Sequence, residues 1–237
     1  MKIENLTPFV TGANRGFGRA IAEELIARGA KKVYGGMRNP VDIGVKGLVP
    51  VNLDVTDPAS IAEAVKLCSD TSLLVNNAGI AQISPKMLEA SALEAAQQLF
   101  ETNYFGMMRV TMAFAPLLAA QGGGAIINVL SVASWFARPM LSGYAASKSA
   151  AWSFTNALRV ELKEQGTQVL ALHVGLMDTD MTQSMNVAKI NPVVVARRTL
   201  DALEQGQMEV LADDTTRALK QSLSTATPIY LDPPSAA

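Results

Sequence analysis

Short apolar runs alternate with longer segments of helical periodicity along the whole chain. Strands are predicted first in LTPFVTG, around residues 6–11, and then in six further runs: KKVYGGM, LVPVNLD, SLLVNNAG, GAIINVLS, QVLALHVG and, at 208–212, MEVLA. Between these runs, apolar residues recur every three or four positions, which indicates helices that bury one side. The pattern therefore predicts strands and helices in alternation.

The first predicted helix lies in GRAIAEELIARGA, where Ala20, Ile21 and Leu25 share one side and Gly29 provides a stop. The second lies in DPASIAEAVKLCS and begins with an aspartate suited to cap it. Further helices are predicted at 90–120, at 144–164 and near 192–205, and the last strand is followed by a short helical stretch and a Pro-containing tail.

Strands that are apolar almost throughout are typical of a parallel sheet covered on both faces. We therefore predict an α/β fold: a doubly wound parallel sheet of about seven strands with helices on both faces. A single domain spanning residues 1–237 is expected from the chain length. In such sheets, ligands bind beyond the carboxyl ends of the strands, where the strand order reverses.

Composition narrows the classes of partner. Apolar residues make up 49% of the 237 residues, and 20 basic residues face 21 acidic ones. A neutral chain without a Lys/Arg run gives no indication of binding to nucleic acid or to an anionic membrane. The single cysteine, Cys68, forms no intramolecular disulfide and is expected in the core. Without a signal-peptide pattern or an apolar run long enough to span a membrane, a cytoplasmic location is expected.

The stretch TGANRGFG joins the first predicted strand to the first helix. Glycines at 12, 16 and 18 would let the backbone turn tightly and approach a pyrophosphate, which the helix N-terminus would attract. A glycine cluster by itself is also an ordinary turn, but a strand before it and a helix after it favour a dinucleotide site. The expected sheet is therefore Rossmann-like.

The second strand ends in GGMRNP, where a residue near the adenosine ribose is expected. Met37 and Arg38 stand where an acidic residue would favour NAD. Arg38 could pair with a 2′-phosphate, and Arg15 in the glycine turn could close over the same group. The alternative is that both arginines are solvated surface charges. The arrangement favours NADP(H) as the cofactor.

Ser131, Tyr144 and Lys148 form the candidate catalytic group. Tyr144 and Lys148 are four residues apart and share one face of a helix, while Ser131 ends the fifth predicted strand. A nearby ammonium would lower the pKa of the phenol, which is ordinarily about 10. The alternative is a packed tyrosine beside a lysine that reaches solvent. No His, Cys or Asp cluster has the spacing of metal ligands, so no metal is expected.

Several motifs in this order resemble the short-chain dehydrogenase/reductase family over nearly the whole chain. These are TGANRGFG, LDVTD, NNAG at 76–79, Asn103 in NYFG, and the group Ser131, Tyr144 and Lys148. The resemblance implies hydride transfer between NADP(H) and a ketone or aldehyde, or a secondary alcohol in reverse. It implies Tyr144 as general acid/base, with Ser131 orienting the carbonyl.

The resemblance also assigns the remaining site residues. Lys148 would bind the nicotinamide ribose, and Asn103 would hold a water that links Lys148 to solvent. Cofactor contacts are implied at Gly12, Asn14, Arg15, Gly16, Phe17, Gly18, Arg38, Asp54, Val55, Asn77, Ala78, Gly79, Tyr144, Lys148, Val174, Gly175, Met177 and Thr179.

The chain departs from the family pattern at three places. Val174 replaces the usual proline after the sixth strand, which puts the rigidity of that loop in doubt. Phe17 replaces a smaller aliphatic residue and could reshape the wall near the nicotinamide. The connection after Arg38 is short, so the usual helix before the third strand is expected to be reduced.

Apolar side chains suggest the substrate. Trp135, Phe136 and Met140 lie between Ser131 and Tyr144, and Met177, Met181 and Met185 follow the sixth strand. They indicate a ketone or aldehyde with an apolar or aryl substituent, although core or subunit packing explains them equally well. An acyl-carrier-bound substrate is less favoured, because no basic patch is visible. His173 is expected to be a packed or surface residue.

A homodimer or homotetramer is expected, because the two long helices resemble the family's oligomer interface. Their outer faces are predicted to carry Met107, Met108, Met112, Phe114, Trp152 and Phe154. The main alternative function is a non-catalytic NADP-binding regulator, which would often lack the tyrosine or lysine. A nucleotide-sugar epimerase would usually have a larger C-terminal domain, and a non-catalytic scaffold would not need the three candidate catalytic residues together.

Overall fold

The computed structural model of the protein describes residues 1–84 and 86–231, so the end of the predicted Pro-containing tail lies outside it. Seven strands form one parallel sheet. The strands are β1 Pro8–Thr11, β2 Val33–Met37, β3 Leu48–Asn52, β4 Leu73–Asn76, β5 Gly124–Val129, β6 Thr167–His173 and β7 Glu209–Leu211. The predicted parallel α/β sheet is confirmed.

The strand order is β3-β2-β1-β4-β5-β6-β7. The chain adds β2 and β3 on one side of β1. It then crosses to the other side, where it adds β4 to β7. The order reverses between β1 and β4, and a crevice is expected beyond their carboxyl ends.

Seven α-helices accompany the sheet: α1 Gly16–Ala27, α2 Pro58–Leu67, α3 Ala90–Phe100, α4 Met107–Ala120, α5 Ser142–Glu161, α6 Pro192–Glu204 and α7 Asp214–Ser222. The Asp57 carboxylate caps α2 by accepting the Ala59 amide proton, as the sequence predicted. No helix lies between β2 and β3 in this structure, so the predicted reduction of that connection is confirmed.

Alternate strand residues point to opposite faces of the sheet. Val10 contributes to a core that also contains residues of α1 and α6, and its neighbour Phe9 to a core with residues of α2, α4 and α5. The Phe9 ring packs against Phe114 with 4.6 Å between centroids. Truncating such a buried ring to alanine typically costs about 3–5 kcal/mol. Helices thus cover both faces, and the strand ends are left to form a site.

The predicted helix at 90–120 is interrupted. Between α3 and α4, residues 101–106 form a π-helical turn. Gly106, at the end of this turn, packs closely on the loop after β3. A Cβ there would lie 2.7 Å from Val55 Cγ2. π-Helical turns inside α-helices frequently occur at functional sites, and this one contains Asn103.

Four of the six predicted interface residues are not on an outer face, since Trp152 and Phe154 are half-buried against the core. Met107 and Phe114 are buried in the core, because their side of α4 packs onto the sheet. Met112, in contrast, is 67% exposed.

Cys68 is fully buried, as predicted, and burial raises the pKa of its thiol to about 12. None of the described helices combines the length and apolar character that a membrane span requires.

Candidate active site

The glycine turn has a backbone that only glycine adopts readily. Gly12 has a φ of 68° and Gly16 a φ of 53°, both in the left-handed region. A Cβ on Gly18 would lie only 2.1 Å from the Gly12 carbonyl oxygen. The first turn of α1 therefore rests directly on the end of β1, and side chains are excluded at all three positions.

The N-terminus of α1 faces outward from this turn. No side chain caps its first amides, and its first turn holds no acidic residue. Free amide groups and the positive end of the helix dipole suit this position to an anion such as a phosphate. Asn14 and Arg15, both exposed, border it. Phe17, which stands in place of a smaller aliphatic residue, is buried in the core.

The end of β4 is fastened to the glycine turn through Thr11. The amides of Asn77 and Ala78 donate to Thr11 Oγ1 at 2.9 and 2.8 Å. Asn77 Nδ2 donates to the Thr11 and Gly12 carbonyls at 2.8 and 3.1 Å. These bonds fix the floor of the crevice where the strand order reverses. Thr11 was missed by the sequence reasoning, which had no pattern that distinguished it from other strand residues.

The far end of the crevice carries Arg38 and Asp54. Met37 is buried in the core, so of this pair only Arg38 is exposed. Hydrogen bonds from the Thr56 side chain and amide, together with the nearby Arg38 charge, lower the pKa of Asp54. Arg15 pairs with Asp180 at 3.0 Å instead of joining Arg38, although both partners are exposed.

The candidate catalytic group converges at the carboxyl end of β5. Lys148 Nζ donates to the Val129 carbonyl at 2.8 Å and lies 5.9 Å from the centre of the Tyr144 ring. Ser131 lies near enough to Tyr144 for its hydroxyl to act on the pKa of the phenol. Ser131 follows β5, and its hydroxyl accepts the Ala133 amide proton at 3.1 Å. The structure thus brings together the three residues predicted from the sequence.

The pKa of Tyr144 moves in the direction opposite to the prediction. Burial raises the pKa of the phenol, and the interaction with Ser131 only partly opposes this. Lys148 does not produce the predicted lowering in this structure. Burial lowers the pKa of Lys148 itself to about 8, because the ammonium lies in a poorly solvated place.

Asn103 lies in the π-helical turn, and its side chain forms three hydrogen bonds. Its Oδ1 accepts the Ile80 amide proton at 2.8 Å, and its Nδ2 donates to the Ile80 carbonyl and to Ser147 Oγ at 2.9 and 3.0 Å. A Cβ on Gly79 would lie 3.2 Å from Asn103 Oδ1 and 3.8 Å from Lys148 Nζ. Asn103 therefore joins the segment after β4 to α5. Ser147, on α5, is part of this junction.

Comparison with known proteins decides the family. A family profile described as "short chain dehydrogenase" matches residues 7–189. The chain belongs to the short-chain dehydrogenase family. The predicted resemblance is therefore confirmed, and the protein is an oxidoreductase of that family.

Three relatives illustrate the similarity. The 3-oxoacyl-[acyl-carrier-protein] reductase of Salmonella typhimurium is 34% identical over 198 residues, which cover 78% of this chain and 79% of the relative. Short-chain dehydrogenase PC-15 of Penicillium crustosum is 36% identical, with 77% and 69% covered. A crystal structure of a short-chain dehydrogenase from Burkholderia cenocepacia in complex with NADP has a TM-score of 0.90 and 38% identity, with 95% of both chains covered.

In this short-chain dehydrogenase, the loop after β6 is anchored without the usual proline. Val174 is buried, and its carbonyl accepts the Val132 amide proton at 2.9 Å. The Gly175 amide donates to Asp213 Oδ2 at 2.6 Å. Asp213 also caps α7, since its Oδ1 accepts the Thr216 amide proton. The Asp213 carboxylate thus restrains the loop whose rigidity was in doubt without the proline. Sequence reasoning missed Asp213 because it lies 38 residues further along the chain than Gly175.

The same loop passes back toward the glycine turn. A Cβ on Gly16 would lie 3.4 Å from Thr179 Cγ2. Met177 forms an isolated bridge with Ile190 and packs against the core, so this methionine is not free to line a pocket. The segment after β6 thus lies against the glycine turn, at the edge of the sheet where the cofactor contacts were predicted.

A buried polar network supports the short-chain dehydrogenase site from below. Asn76 Nδ2 donates to Thr111 Oγ1 at 2.9 Å and to Asn128 Oδ1 at 2.8 Å, and Asn128 Nδ2 donates to Thr155 Oγ1 at 2.9 Å. Asn76 and Asn128 are directly paired in the sheet. The network joins β4 and β5 to α4 and α5, the elements that carry the candidate catalytic residues. In the described residues, no three His, Cys, Asp or Glu side chains are grouped as metal ligands would be.

The apolar residues assigned to the substrate side separate into two groups. Trp135 is buried and stacks on His173, so it belongs to the core beneath the site. Met140 and Met181 are 51% and 52% exposed. Met140 is joined to the loop after β4, because its carbonyl accepts the Ser84 amide proton at 3.0 Å. Exposed methionines therefore belong to two loops at this edge of the sheet.

Proposed function

We propose that the protein is an NADP(H)-dependent reductase that transfers hydride between the nicotinamide and a ketone or aldehyde, with Tyr144 as the general acid. The observation that carries the proposal is the convergence of Ser131, Tyr144 and Lys148 at the end of β5, beside the segment after β4. Gly79 brings that segment within reach of Lys148. The glycine turn is fastened to the same segment through Thr11.

The crevice residues fit a dinucleotide. Gly12, Gly16 and Gly18 leave no side chain between the α1 N-terminus and an approaching pyrophosphate. Asp54, kept ionised by its Thr56 hydrogen bonds, is suited to accept a hydrogen bond from an adenine amino group. Lys148 would hold the nicotinamide ribose. The bound cofactor supplies the hydride, or accepts it in the reverse direction.

The preference for NADP(H) over NAD(H) is supported by Arg38. It is an exposed cation at the end of β2, and its neighbour Met37 offers no carboxylate to a ribose 2′-hydroxyl. A guanidinium can form paired hydrogen bonds with a 2′-phosphate. The NADP bound to the Burkholderia cenocepacia relative agrees with this preference.

The proton chemistry favours carbonyl reduction. Because burial raises the pKa of Tyr144, the phenol retains its proton at neutral pH and can donate it to a carbonyl oxygen as hydride reaches the carbon. Ser131 can hydrogen-bond the same oxygen. Lys148, with a pKa of about 8, is mostly cationic at neutral pH and would stabilise the phenolate that remains. The Asn103 junction would hold Lys148 and the π-helical turn in register, and a water bound there would resupply the proton.

We further propose a substrate with an apolar or aryl substituent. Met140, Met181 and Met185 are exposed and would offer adaptable thioether surface to such groups. The reductase of Salmonella typhimurium is named for 3-oxoacyl thioesters on a carrier protein, so a 3-oxoacyl thioester is the reference compound against which aryl and alkyl ketones should be compared.

The test is NADPH consumption with a panel of aryl ketones, alkyl aldehydes and a 3-oxoacyl thioester. Tyr144→Phe should lose turnover by about a thousandfold, a typical effect of removing a general acid, while its NADPH affinity stays within about twofold. Tyr230→Phe, at a half-exposed tyrosine, is the matched control and should retain full activity. Turnover by Tyr144→Phe at the wild-type rate would exclude the acid assignment. A wild-type protein that binds NADPH but reduces nothing in the panel would favour the non-catalytic regulator.

A cytoplasmic homodimer or homotetramer remains our expectation for the assembled enzyme. The exposed Leu93 and Met112 support it, because monomeric soluble proteins seldom leave such side chains uncovered in groups. A small-molecule substrate is expected to be its other partner.

A further inference from the structure

The only histidine of the chain, His173, ends β6 and is completely buried. Its ring stacks on Trp135, with 4.0 Å between ring centres and 22° between planes. Trp135 in turn meets Trp152 edge-on at 6.1 Å. This aromatic stack lies directly under the turn that follows Ser131. The ring position of His173 is therefore fixed by packing, close to the candidate catalytic group.

One nitrogen of the ring reaches the backbone of Ser131. His173 Nδ1 lies 3.2 Å from the Ser131 carbonyl oxygen, which also accepts the Ser134 amide proton at 3.0 Å. A carbonyl oxygen only accepts, so Nδ1 must carry the hydrogen. Nε2 has no hydrogen-bond partner among the described atoms, and Glu209 Oε1 lies 3.7 Å from it.

The ring is neutral at physiological pH. Burial lowers the pKa of His173 to about 4, and the bond to Ser131 and the Glu209 charge only partly oppose this. Lys220 and Arg159, the cations that face the ring from α7 and α5, lower it further. Lys220 is itself held by Glu209 at 2.9 Å. A neutral ring with hydrogen on Nδ1 can keep its hydrogen bond to the Ser131 carbonyl throughout the physiological pH range.

The Ser131 turn is short, and other segments help to hold it: the Val132 amide donates to the Val174 carbonyl, and Ser149 Oγ donates to the Ser134 carbonyl. Ser131 is extended, with a φ of −152° and a ψ of 159°, and the three residues after it form a single 3-10 turn. Such short turns have poor hydrogen-bond geometry and are only marginally stable alone. The position of the Ser131 hydroxyl, which accepts the Ala133 amide proton and lies near Tyr144, depends on the orientation of this peptide. A second donor to its carbonyl would restrict that orientation.

We propose that His173 is a positioning residue for the reaction: its Nδ1–H holds the Ser131 carbonyl, so that the Ser131 hydroxyl stays directed at Tyr144 and the substrate oxygen. The proposal rests on the proposed function, because Ser131 must act on the carbonyl for its direction to affect turnover. His173 itself contacts no reacting atom. Its effect is expected in kcat and not in cofactor affinity, since the ring lies on the β5–β6 side of the crevice.

The first test reads the tautomer directly. The protein is prepared without a histidine tag and with isotope-labelled histidine, so NMR of the imidazole nitrogens reports His173 alone. We expect hydrogen on Nδ1, none on Nε2, and no titration from about pH 5.5 to about pH 9. Hydrogen on Nε2, or titration near an ordinary histidine pKa, would overturn the proposal. This measurement does not depend on activity, so it stands or fails separately from the proposed function.

The second test compares His173→Asn with His173→Leu. The two side chains are similar in size and both lose the aromatic stack, but only asparagine offers an amide N–H to the Ser131 carbonyl. We expect the Leu variant to lose about tenfold in kcat and the Asn variant less than about threefold, with KM for NADPH unchanged in both. A purely structural role predicts the reverse order, because leucine suits an apolar core better than an amide does.

Repeating the pair in a Ser131→Ala background completes the test. Without the Ser131 hydroxyl, the Asn and Leu variants should have the same kcat within about twofold, since nothing is left to direct. The same Asn-to-Leu difference in both backgrounds would mean that His173 acts by another route, and would refute the proposal. If the Leu variant fails to fold, the NMR result and the Asn variant, expected to be active, still decide it.

Discussion

The Asp213 carboxylate receives the amide proton of Gly175 across 2.6 Å and thereby ties the loop after β6 to the start of α7. Valine at 174 leaves this loop without the proline that the family usually places there. A charge-assisted bond to a backbone amide supplies a comparable restraint at the neighbouring residue. The loop that is expected to pass the nicotinamide is thus fixed from the far side of β7.

Asp213→Ala should therefore affect both stability and cofactor binding. Losing the Gly175 bond and the α7 cap is expected to reduce the free energy of unfolding by about 2–4 kcal/mol, and to raise KM for NADPH by about tenfold. Chemical denaturation and initial-rate kinetics measure the two effects. Asp214→Ala is the matched control, because Asp214 is exposed and pairs only with Arg217 on the surface. Equal behaviour of the two variants would exclude the role given to Asp213.

Lys148 is expected to reduce stability. Its pKa is about 8 in the folded protein against an ordinary value of 10.5. A lysine whose pKa is lowered on folding destabilises the fold fully below the folded pKa, and the penalty disappears as pH rises past the unfolded pKa. Lys148→Met should therefore raise the free energy of unfolding by about 1–3 kcal/mol at neutral pH, while abolishing turnover.

Urea denaturation at several pH values tests this prediction for Lys148. The stability difference between Lys148→Met and the wild type should shrink as pH rises from about 7 to about 10. A difference that stays constant with pH would show that packing, and not the buried charge, is responsible. Lys163→Met, at an exposed position beyond the end of α5, controls for general effects of removing a lysine.

Patterns within short segments of the sequence were enough to predict most of the strands and helices. Apolar runs such as SLLVNNAG mark strands buried on both faces, and the spacing of Ile21 and Leu25 marks a helix that covers them. The glycines of TGANRGFG could be interpreted because few residues other than glycine readily adopt a backbone with φ near 60°. Ser131, Tyr144 and Lys148 were found because their spacing is fixed within one strand-loop-helix segment.

What sequence reasoning missed depends on contacts between distant segments. The bond between Gly175 and Asp213, and that between His173 and Ser131, join residues about forty positions apart. The direction of the Tyr144 pKa depends on how completely the ring is desolvated, which periodicity does not reveal. The π-helical turn at Asn103 accommodates one extra residue but leaves the helical spacing of apolar residues on either side of it. The sequence therefore predicted a continuous helix.

Arg38 is expected to set the cofactor preference. Arg38→Ala should raise KM for NADPH by about tenfold, because a guanidinium–phosphate pair is lost, and should change KM for NADH by less than about twofold. Initial rates with both cofactors measure the ratio. Arg19→Ala is the control, since Arg19 is exposed on α1 and pairs with Glu23. Equal losses with NADPH and NADH in Arg38→Ala would contradict the assignment of the 2′-phosphate.

The outer surface of the helices at 90–120 provides the last prediction. Leu93 and Phe105 line a shallow groove of about 450 Å³ between α3 and the π-helical turn, and Met112 is exposed further along α4. Covering such apolar side chains with a second copy would stabilise a closed oligomer. Met112→Glu should therefore lower the mass measured by light scattering at micromolar concentration, whereas Met208→Glu, at an exposed methionine before β7, should not. A monomeric wild-type protein would contradict the prediction.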